Sequence, residues 1–451
     1  MKIFDPDFMF FYKIKLVWAL FLGLILSCLS PVLAQETLSL QQAIAIGLKN
    51  NYSIQIMAKQ LEIAENNNSL GNAGFLPNLD LDGGISGSKY SNYQKAHDGT
   101  INEIDGVSTT NISSSLILNW TLFDGFKMFV DKKVLESQTE VGKLQLKAQA
   151  ELTIAAIINL YSGYIQQKKQ LAILDSALLF SIKRLQIAQR KYETGSWSRF
   201  AYQQALIDLN SDSANWIKQK VNLENTCLSL KMQLALPLEK EFLLIDSIAL
   251  DTMFLYPELV QSTLKWNTQL QLSRLTGQVS DLNHKAAQSG YYPKIGVYAA
   301  YNLSHSVSDA GLLKTNQNYG PAFGLNLSYN IFNGFETKRS LFNAQKRAEI
   351  TALEMQGLEE ETCGVLQQTY QEYQAQLKML GFESKNLAFA SENARVALEK
   401  YSLGAISDVE LRQIQLQQLQ AETKYVLALQ WIKNIETELK RMSGLLVKTE
   451  E

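Results

Sequence analysis

The chain is 451 residues long, 46% hydrophobic and 19% charged, with a formal net charge of −2. That length allows two or three ordinary domains with sizeable cores, and the near-neutral balance leaves no basic footprint for nucleic acid. Seven prolines are few for this length, which favours long uninterrupted elements.

In chain order, the first segment reads as a leader. Lys13 and Lys15 precede an apolar run from Leu16 to Leu26, and Val32-Leu33-Ala34 offers a small-residue cleavage site. This is the pattern of a signal peptide over residues 1–34, with Gln35 as the mature start and Met1 or Met9 as the initiator. The stretch Leu26-Ser27-Cys28-Leu29 also permits a lipoprotein reading, although serine before the cysteine matches it weakly. Cys227 and Cys363 remain after cleavage and form no disulfide framework. No other run approaches the length of a membrane helix, so a membrane location requires a β-barrel.

The mature chain is a doubled sequence. Phe75-Leu76-Pro77-Asn78-Leu79 reappears as Tyr291-Tyr292-Pro293-Lys294-Ile295. Phe123-Asp124-Gly125 reappears as Phe332-Asn333-Gly334, and Tyr192 to Gly195 as Tyr401 to Gly404, both at an offset of 209 residues. An offset kept over such a distance marks one unbroken structural unit. Repeat 1 is expected over 35–236, with a β-hairpin at about 77–124, a long helix 127–192 and a return helix 200–236. A connector follows over 237–256, with the apolar run Phe242-Leu243-Leu244-Ile245 as part of an equatorial belt. Repeat 2 is expected over 257–442, with a hairpin at about 293–332, a long helix 336–401 and a return helix 409–442. Residues 443–451 form a tail.

Alternation identifies the strands: Leu79, Leu81 and Ile85; Ile112, Leu116, Leu118 and Trp120; Ile295, Val297 and Tyr301; and Phe323, Leu325, Leu327, Tyr329 and Ile331. Each segment has the length of about 9–11 residues that crosses a bilayer as a tilted strand. Trp120, Tyr301 and Tyr329 suit an interface belt. Residues of about 89–110 and 304–320 are rich in Asn, Ser, Gly and Asp and read as solvent loops.

The long helices contain no proline. At 1.5 Å per residue, about 66 residues make a rod of roughly 100 Å. Leu171, Leu178, Leu185 and Tyr192 recur every seven residues, as do Leu380, Leu387, Ala394 and Tyr401, the mark of a coiled coil. Gly195 and Gly404 break the rods, so each folds back as an antiparallel hairpin. The tips, Thr194, Gly195, Ser196 and Trp197 with Leu403, Gly404, Ala405 and Ile406, are the far ends.

An enzyme reading finds no support. His97, His284 and His305 are scattered without metal-ligand spacing, and neither a P-loop nor a nucleophile elbow is present. No catalytic residue, metal site or cofactor is expected. An exported coiled-coil structural protein or adhesin explains the helices, but not the paired strands at fixed places in both repeats.

Four strands do not close a membrane barrel, and open edges in lipid are very costly, so the strands must be pooled between copies. Two copies would give eight strands and three would give twelve. At this point the chain resembles the TolC-like outer-membrane efflux factors over essentially its whole mature length. The resemblance rests on the doubled proline-led strand entry, the doubled Phe-Asp/Asn-Gly exit and the doubled Tyr-x-x-Gly tip. It implies a mixed α and transmembrane β fold, in which a homotrimer shares one 12-stranded β-barrel in outer-membrane lipid. Long coiled-coil helices would then form a periplasmic tunnel in a Gram-negative envelope. The tips would dock on a periplasmic adaptor (membrane fusion) protein serving an inner-membrane pump of the RND or ABC type, and the chain would conduct substrates passively to the exterior. The periplasmic gate of the family falls on Glu410, Gln413 and Tyr401. The usual acidic partner of that tyrosine falls on Ala201 and the usual basic latch on Ile406, which leaves closure to the packing of surrounding helices.

Overall fold

The computed structural model describes residues 36–240, 242–244, 248–250, 254–310 and 313–447. The leader and Cys28, Ile245 of the connector and the last four residues of the tail lie outside the described residues. The helices are α1 (Leu40–Asn50), α2 (Tyr52–Asn67), α3 (Lys127–Glu193), α4 (Arg199–Gln233), α5 (Tyr256–Trp266), α6 (Thr268–Gln288), α7 (Glu336–Ser402) and α8 (Asp408–Met442). The strands are β1 (Glu36–Leu38), β2 (Asn78–Lys95), β3 (Ile101–Phe123), β4 (Phe242–Leu244), β5 (Lys294–Ser308) and β6 (Thr315–Ser328). No described helix is long and apolar enough to cross a membrane.

The repeat governs the element ends. Helices α3 and α7 are both 67 residues long, and α4 and α8 both 35, each pair offset by 209 residues at both ends. Upstream of the hairpins the offset is 216: α1 and α5 are both 11 residues. Asn51 and Asn267 then cap α2 and α6 in the same way. Asn51 accepts from Ser53 and Ile54 N–H, and Asn267 from Gln269 and Leu270 N–H. A short polar side chain satisfying the first free amides is what restarts each helix. The seven-residue difference between the two offsets is absorbed in the first hairpin, which is the longer one.

The chain divides into two compact units that cut across both repeats, because each long helix contributes to both. The first unit holds residues of Met1–Asn50, Ala156–Leu250 and Met379–Lys433. Its core gathers Leu38, Ala43, Ile157, Tyr161, Ile165, Leu230, Leu234, Phe242 and Leu244. Strand β4, from the connector, runs parallel to β1, and the Tyr161 hydroxyl donates to the Leu38 carbonyl at 2.9 Å. Gly47 lets α1 lie close on α3, since a Cβ there would come within 2.2 Å of Ile157 Cδ1. Cys227 packs half-buried beside this core, and burial pushes its thiol pKa up.

The second unit holds residues of Asn51–Ala155, Asp251–Lys378 and Asn434–Glu451. Its centre is an antiparallel sheet in the order β2-β3-β5-β6. The register sorts the side chains cleanly, because a strand's side chains alternate between faces. Leu79, Leu81 and Ile85 pair with Leu118, Leu116 and Ile112. Leu116, Leu118 and Trp120 pair in turn with Tyr301, Ala299 and Val297, and these with Pro321, Phe323 and Leu325. The opposite face carries Asp80, Asp82, Ser113, Ser115, Asn119, Asn302 and Asn326. The apolar face is open: Ile85 is 77% exposed and Phe323 82%.

Two expectations are corrected here. The segments at about 89–110 and 304–320 are largely strand, with Tyr90 opposite Val107, Tyr93 opposite Glu103 and Leu303 opposite Tyr319. Backbone pairing across an antiparallel ladder does not depend on apolar side chains, and Ile101, Ile104, Val107 and Thr109 favour extended backbone. In the first hairpin the turn is confined to Ala96–Thr100, where Thr100 N–H donates to Asp98. The strands are therefore 18, 23, 15 and 14 residues long. The fourth strand also ends at Ser328, leaving Tyr329 and Ile331 beyond it. Ser328 pairs with Lys294, the residue before Lys294 is Pro293, which has no N–H to extend the ladder, and β6 has no second neighbour among the described strands.

Candidate functional site

Both hairpin tips in the first unit are built by the same local code. At the end of α3, Ser196 N–H donates to Lys191 O at 2.8 Å and Gly195 N–H to Tyr192 O at 3.0 Å. At the end of α7, Ala405 N–H donates to Lys400 O at 2.9 Å and Gly404 N–H to Tyr401 O at 3.0 Å. This paired closure needs a left-handed residue, and glycine takes that conformation without strain; Gly195 has φ +73° and Gly404 φ +77°.

The side chains at the two tips differ. Tyr401 is fully buried, and its hydroxyl donates to Asp408 Oδ1 at 2.9 Å. Burial, then the Asp408 charge, pushes its pKa well up. Arg184, 1% exposed, donates from Nε to Asp408 Oδ1 at 2.6 Å, and its Nη1 lies 2.7 Å from Asp208 Oδ2. Burial opposes the guanidinium charge, but Asp408 and Asp208 outweigh it and raise the pKa. Next to them, Arg412 grips Asp212 through two bonds of 2.7 and 2.8 Å. Ser181 donates to Asp212 at 2.6 Å, and Gln415 donates to Ser181 at 3.0 Å. The cluster ties α3, α4 and α8 together with two arginines against three aspartates.

Sequence reasoning did not find this cluster. Arg184, Asp208, Asp212, Asp408 and Arg412 add ion pairs to the apolar packing between α3, α4 and α8. The available signal was its asymmetry: 209 residues away, Arg184 meets Asn393, Asp208 meets Gln417, Asp212 meets Ala421 and Arg412 meets Gln203.

The expected site residues fall in several environments. Glu410 is exposed, and its Oε2 accepts from Ser407 N–H and Oγ–H at 2.8 Å each, while Glu410 N–H donates to Ser407 Oγ at 3.2 Å. That reciprocal pair is a capping box on α8, and the Ser407 backbone bond, followed by its hydroxyl, lowers the Glu410 pKa. In the first repeat Ser198 accepts from Ala201 N–H, and Ala201 has no carboxylate to return the bond. Gln413 is exposed. Thr194, Gly195, Ser196, Gly404 and Ala405 are exposed, and Leu403 is 84% exposed. Trp197 and Ile406 instead turn inward and pack with Tyr401, Leu411 and Ala397. Trp197 meets the Tyr401 ring edge-on at 5.2 Å, with Lys191 Nζ 4.4 Å over its own ring. A cleft of about 530 Å³ opens between the tips, lined by Ser196, Ser198, Ala201, Ala405, Ser407 and Glu410 among others. Among the described residues no cluster of His, Cys, Asp or Glu is arranged to hold a metal ion.

Four long strands, an open apolar sheet face and doubled 67-residue helices define a class of outer-membrane channel folds. The family of outer membrane efflux proteins matches residues 43–234 and 259–445, and the chain belongs to it. No curated protein matches the sequence. Among solved structures, the outer membrane protein VceC of Vibrio cholerae matches with a TM-score of 0.71 at 15% identity, over 90% of this chain and 96% of VceC. The Campylobacter jejuni CmeC outer membrane channel matches with a TM-score of 0.72 at 15% identity, over 91% and 87%. CusC, whose crystal structures concern folding and transmembrane channel formation, matches with a TM-score of 0.71 at 17% identity, over 90% and 92%. At these identities the likeness is one of fold.

Proposed function

We propose that this efflux protein is the passive exit duct of a tripartite efflux or type I secretion system. Three copies would pool their strands into one twelve-stranded barrel in the outer membrane. The observation that supports this most is the sheet in the second unit. Its β2 and β6 edges have no further partner among the described strands, and its exposed face carries Leu81 at 75% and Leu325 at 68%. Each large apolar side chain left in water forgoes about 1.5–3 kcal/mol, and unpaired edges in lipid cost several kcal/mol per group. Closure with other copies in a bilayer removes both costs. Native mass measurement of detergent-extracted protein should read three copies, and cell fractionation should find it with the outer membrane. A stable monomer with its sheet intact would overturn the reading.

On this reading the tips form the periplasmic mouth. Thr194 to Trp197 and Leu403 to Ile406 meet the helical hairpin of an adaptor, and Glu410, Gln413 and Tyr401 belong to the gate. Tyr401 holds its place through Asp408, while Glu410 presents carboxylates to the pore axis, where a narrow low-dielectric mouth concentrates their field. Cysteines at Ser196 and Ala405 should cross-link to the cognate adaptor in cells. Links confined to mid-helix positions such as Leu174 would contradict the docking.

A further inference from the structure

In the second unit two phenylalanines have a left-handed backbone at the same point of both repeats. Phe126 and Phe335 stand 209 residues apart, each with φ +65°. Each follows a glycine that is itself left-handed, Gly125 at +77° and Gly334 at +65°. Each also opens a long helix: Val130 N–H donates to Phe126 O at 3.3 Å, and Arg339 N–H to Phe335 O at 3.0 Å. That place favours a short polar side chain, and a bulky one in this backbone is strained. In the first repeat the free amide is capped from further back, where Met128 N–H donates to Asp124 at 3.0 Å. A ring that neither caps the helix nor relaxes the turn breaks the local rule twice, and such breaks mark function.

Both rings are mostly in the open, at 56% and 67% exposure. Phe126 meets Phe123 edge-on at 5.1 Å, and Phe335 meets Phe332 edge-on at 5.5 Å. Phe123 pairs with Ile295, which shares the apolar face of the sheet with Val297 and Leu325. Phe126 therefore continues that face at its helical end. At the far end the face closes on His305 opposite Gln317. From Ile295 to His305 the strand runs roughly 33 Å at about 3.3 Å per residue. At a tilt of about 40° that is about 25 Å of height, the apolar band a bilayer covers.

Charge changes just below the rings. Residues 336–347 carry Lys338, Arg339, Lys346 and Arg347 against Glu336 alone, whereas residues 348–361 carry five glutamates and no cation. Lys346 is already engaged by Glu349 and by the Phe342 ring. Lys338 and Arg339 are exposed, and among the described residues neither has a carboxylate partner. They follow Phe335 by three and four residues, about 4.5–6 Å along the helix axis, which is about the depth of a headgroup layer.

We infer that Phe126 and Phe335 seat the chain at the inner-leaflet boundary of the bilayer, and that Lys338 and Arg339 bind the phosphate of an anionic phospholipid beside Phe335. This rests on the channel reading above. The rings lie among the first acyl carbons, continuous with the apolar face, and the two cations reach the headgroup plane. The strained turn is what aims each ring away from its helix and toward lipid.

The test uses full-length protein in its membrane. Phe126 or Phe335 is replaced by benzoylphenylalanine and irradiated in intact cells; each chain should gain the mass of a phospholipid. An adduct to a second copy or to another protein, or no lipid adduct, overturns the seat. In nanodiscs of phosphatidylethanolamine and phosphatidylglycerol, native mass should find phosphatidylglycerol retained. Lys338→Gln with Arg339→Gln should lower that retention several-fold at unchanged assembly mass, and unchanged retention overturns the phosphate site. Phe126→Gly with Phe335→Gly should leave the unfolding temperature in detergent unchanged, because glycine takes this backbone without strain, while retained lipid falls. A large loss of stability in detergent would make the rings packing groups only. If no outer-membrane assembly is found, the channel reading falls with the seat; if the assembly stands and lipid adducts fail, the seat falls alone.

Discussion

The two hairpin tips share a backbone and a serine cap but differ in most of the contacts their other side chains make. Tyr401 is buried against Asp408, whereas Tyr192, its counterpart, is 40% exposed and stacks on Tyr202. Asp408 accepts from a buried arginine, whereas Arg199 in the same place is exposed. Ser407 and Glu410 complete a capping box that Ser198 and Ala201 leave half made. The turn is set by short-range chemistry that tolerates divergence around it. The divergent side chains then give each copy of the turn its own neighbours.

The largest break in this comparison should come from Asp408→Ala. It leaves Arg184 in a desolvated site with Asp208 as its remaining partner and removes the acceptor of Tyr401, and breaking a buried pair costs up to about 3–5 kcal/mol. Arg199→Ala at the matching exposed position should cost within about 0.5 kcal/mol. Thermal or urea unfolding of the isolated variants compares them directly, and equal losses would contradict the asymmetry. Gly195→Ala and Gly404→Ala should instead act alike. Each forces a Cβ into a left-handed backbone at about 1–2 kcal/mol, so unequal losses would mean that the turns are not the shared part.

A smaller effect is expected at Glu151 in the second unit. Its side chain is 3% exposed, Oε2 accepts from Thr268 Oγ1 at 2.9 Å, and Oε1 has no hydrogen-bond partner. Burial raises its pKa, with Thr268, Lys147 and Arg441 opposing. A raised folded-state pKa gives stability that is present below the unfolded value and lost as pH rises through the folded one. Glu151→Gln should therefore raise the unfolding temperature at neutral pH, with the gain vanishing in acid. A gain that does not vary with pH would point to packing instead. The smallest effect on folding belongs to Glu410. Its lowered pKa places its stabilising bond above the ordinary carboxylate range, and that bond is lost as pH falls. Glu410→Ala should leave trimer yield intact while reducing cation preference in bilayer recordings, and Glu410→Lys should reverse that preference. Unchanged selectivity in both would leave the capping box as its whole role.

Much of this molecule was legible in the sequence because it is written in short-range terms. Gly195 and Gly404 stop their helices, the strands alternate around Leu81 and Leu325, and a fixed 209-residue offset ties the two long helices together. Each depends on a few neighbouring residues or on periodicity, and each survives whatever surrounds it. The ends of the strands were not legible, since pairing Tyr90 with Val107 or Leu303 with Tyr319 depends on a partner strand and not on polarity. Nor was the ion-pair cluster. Arg184 and Asp408 are 224 residues apart, and in a linear reading an arginine inside a heptad helix is a solvated charge. Only the packing of α3, α4 and α8 removes water from it and brings Asp208 and Asp408 within reach. Local code determined the turns and rods; tertiary structure decided which charges were buried, because desolvation is a property of the assembled neighbourhood and not of any single segment.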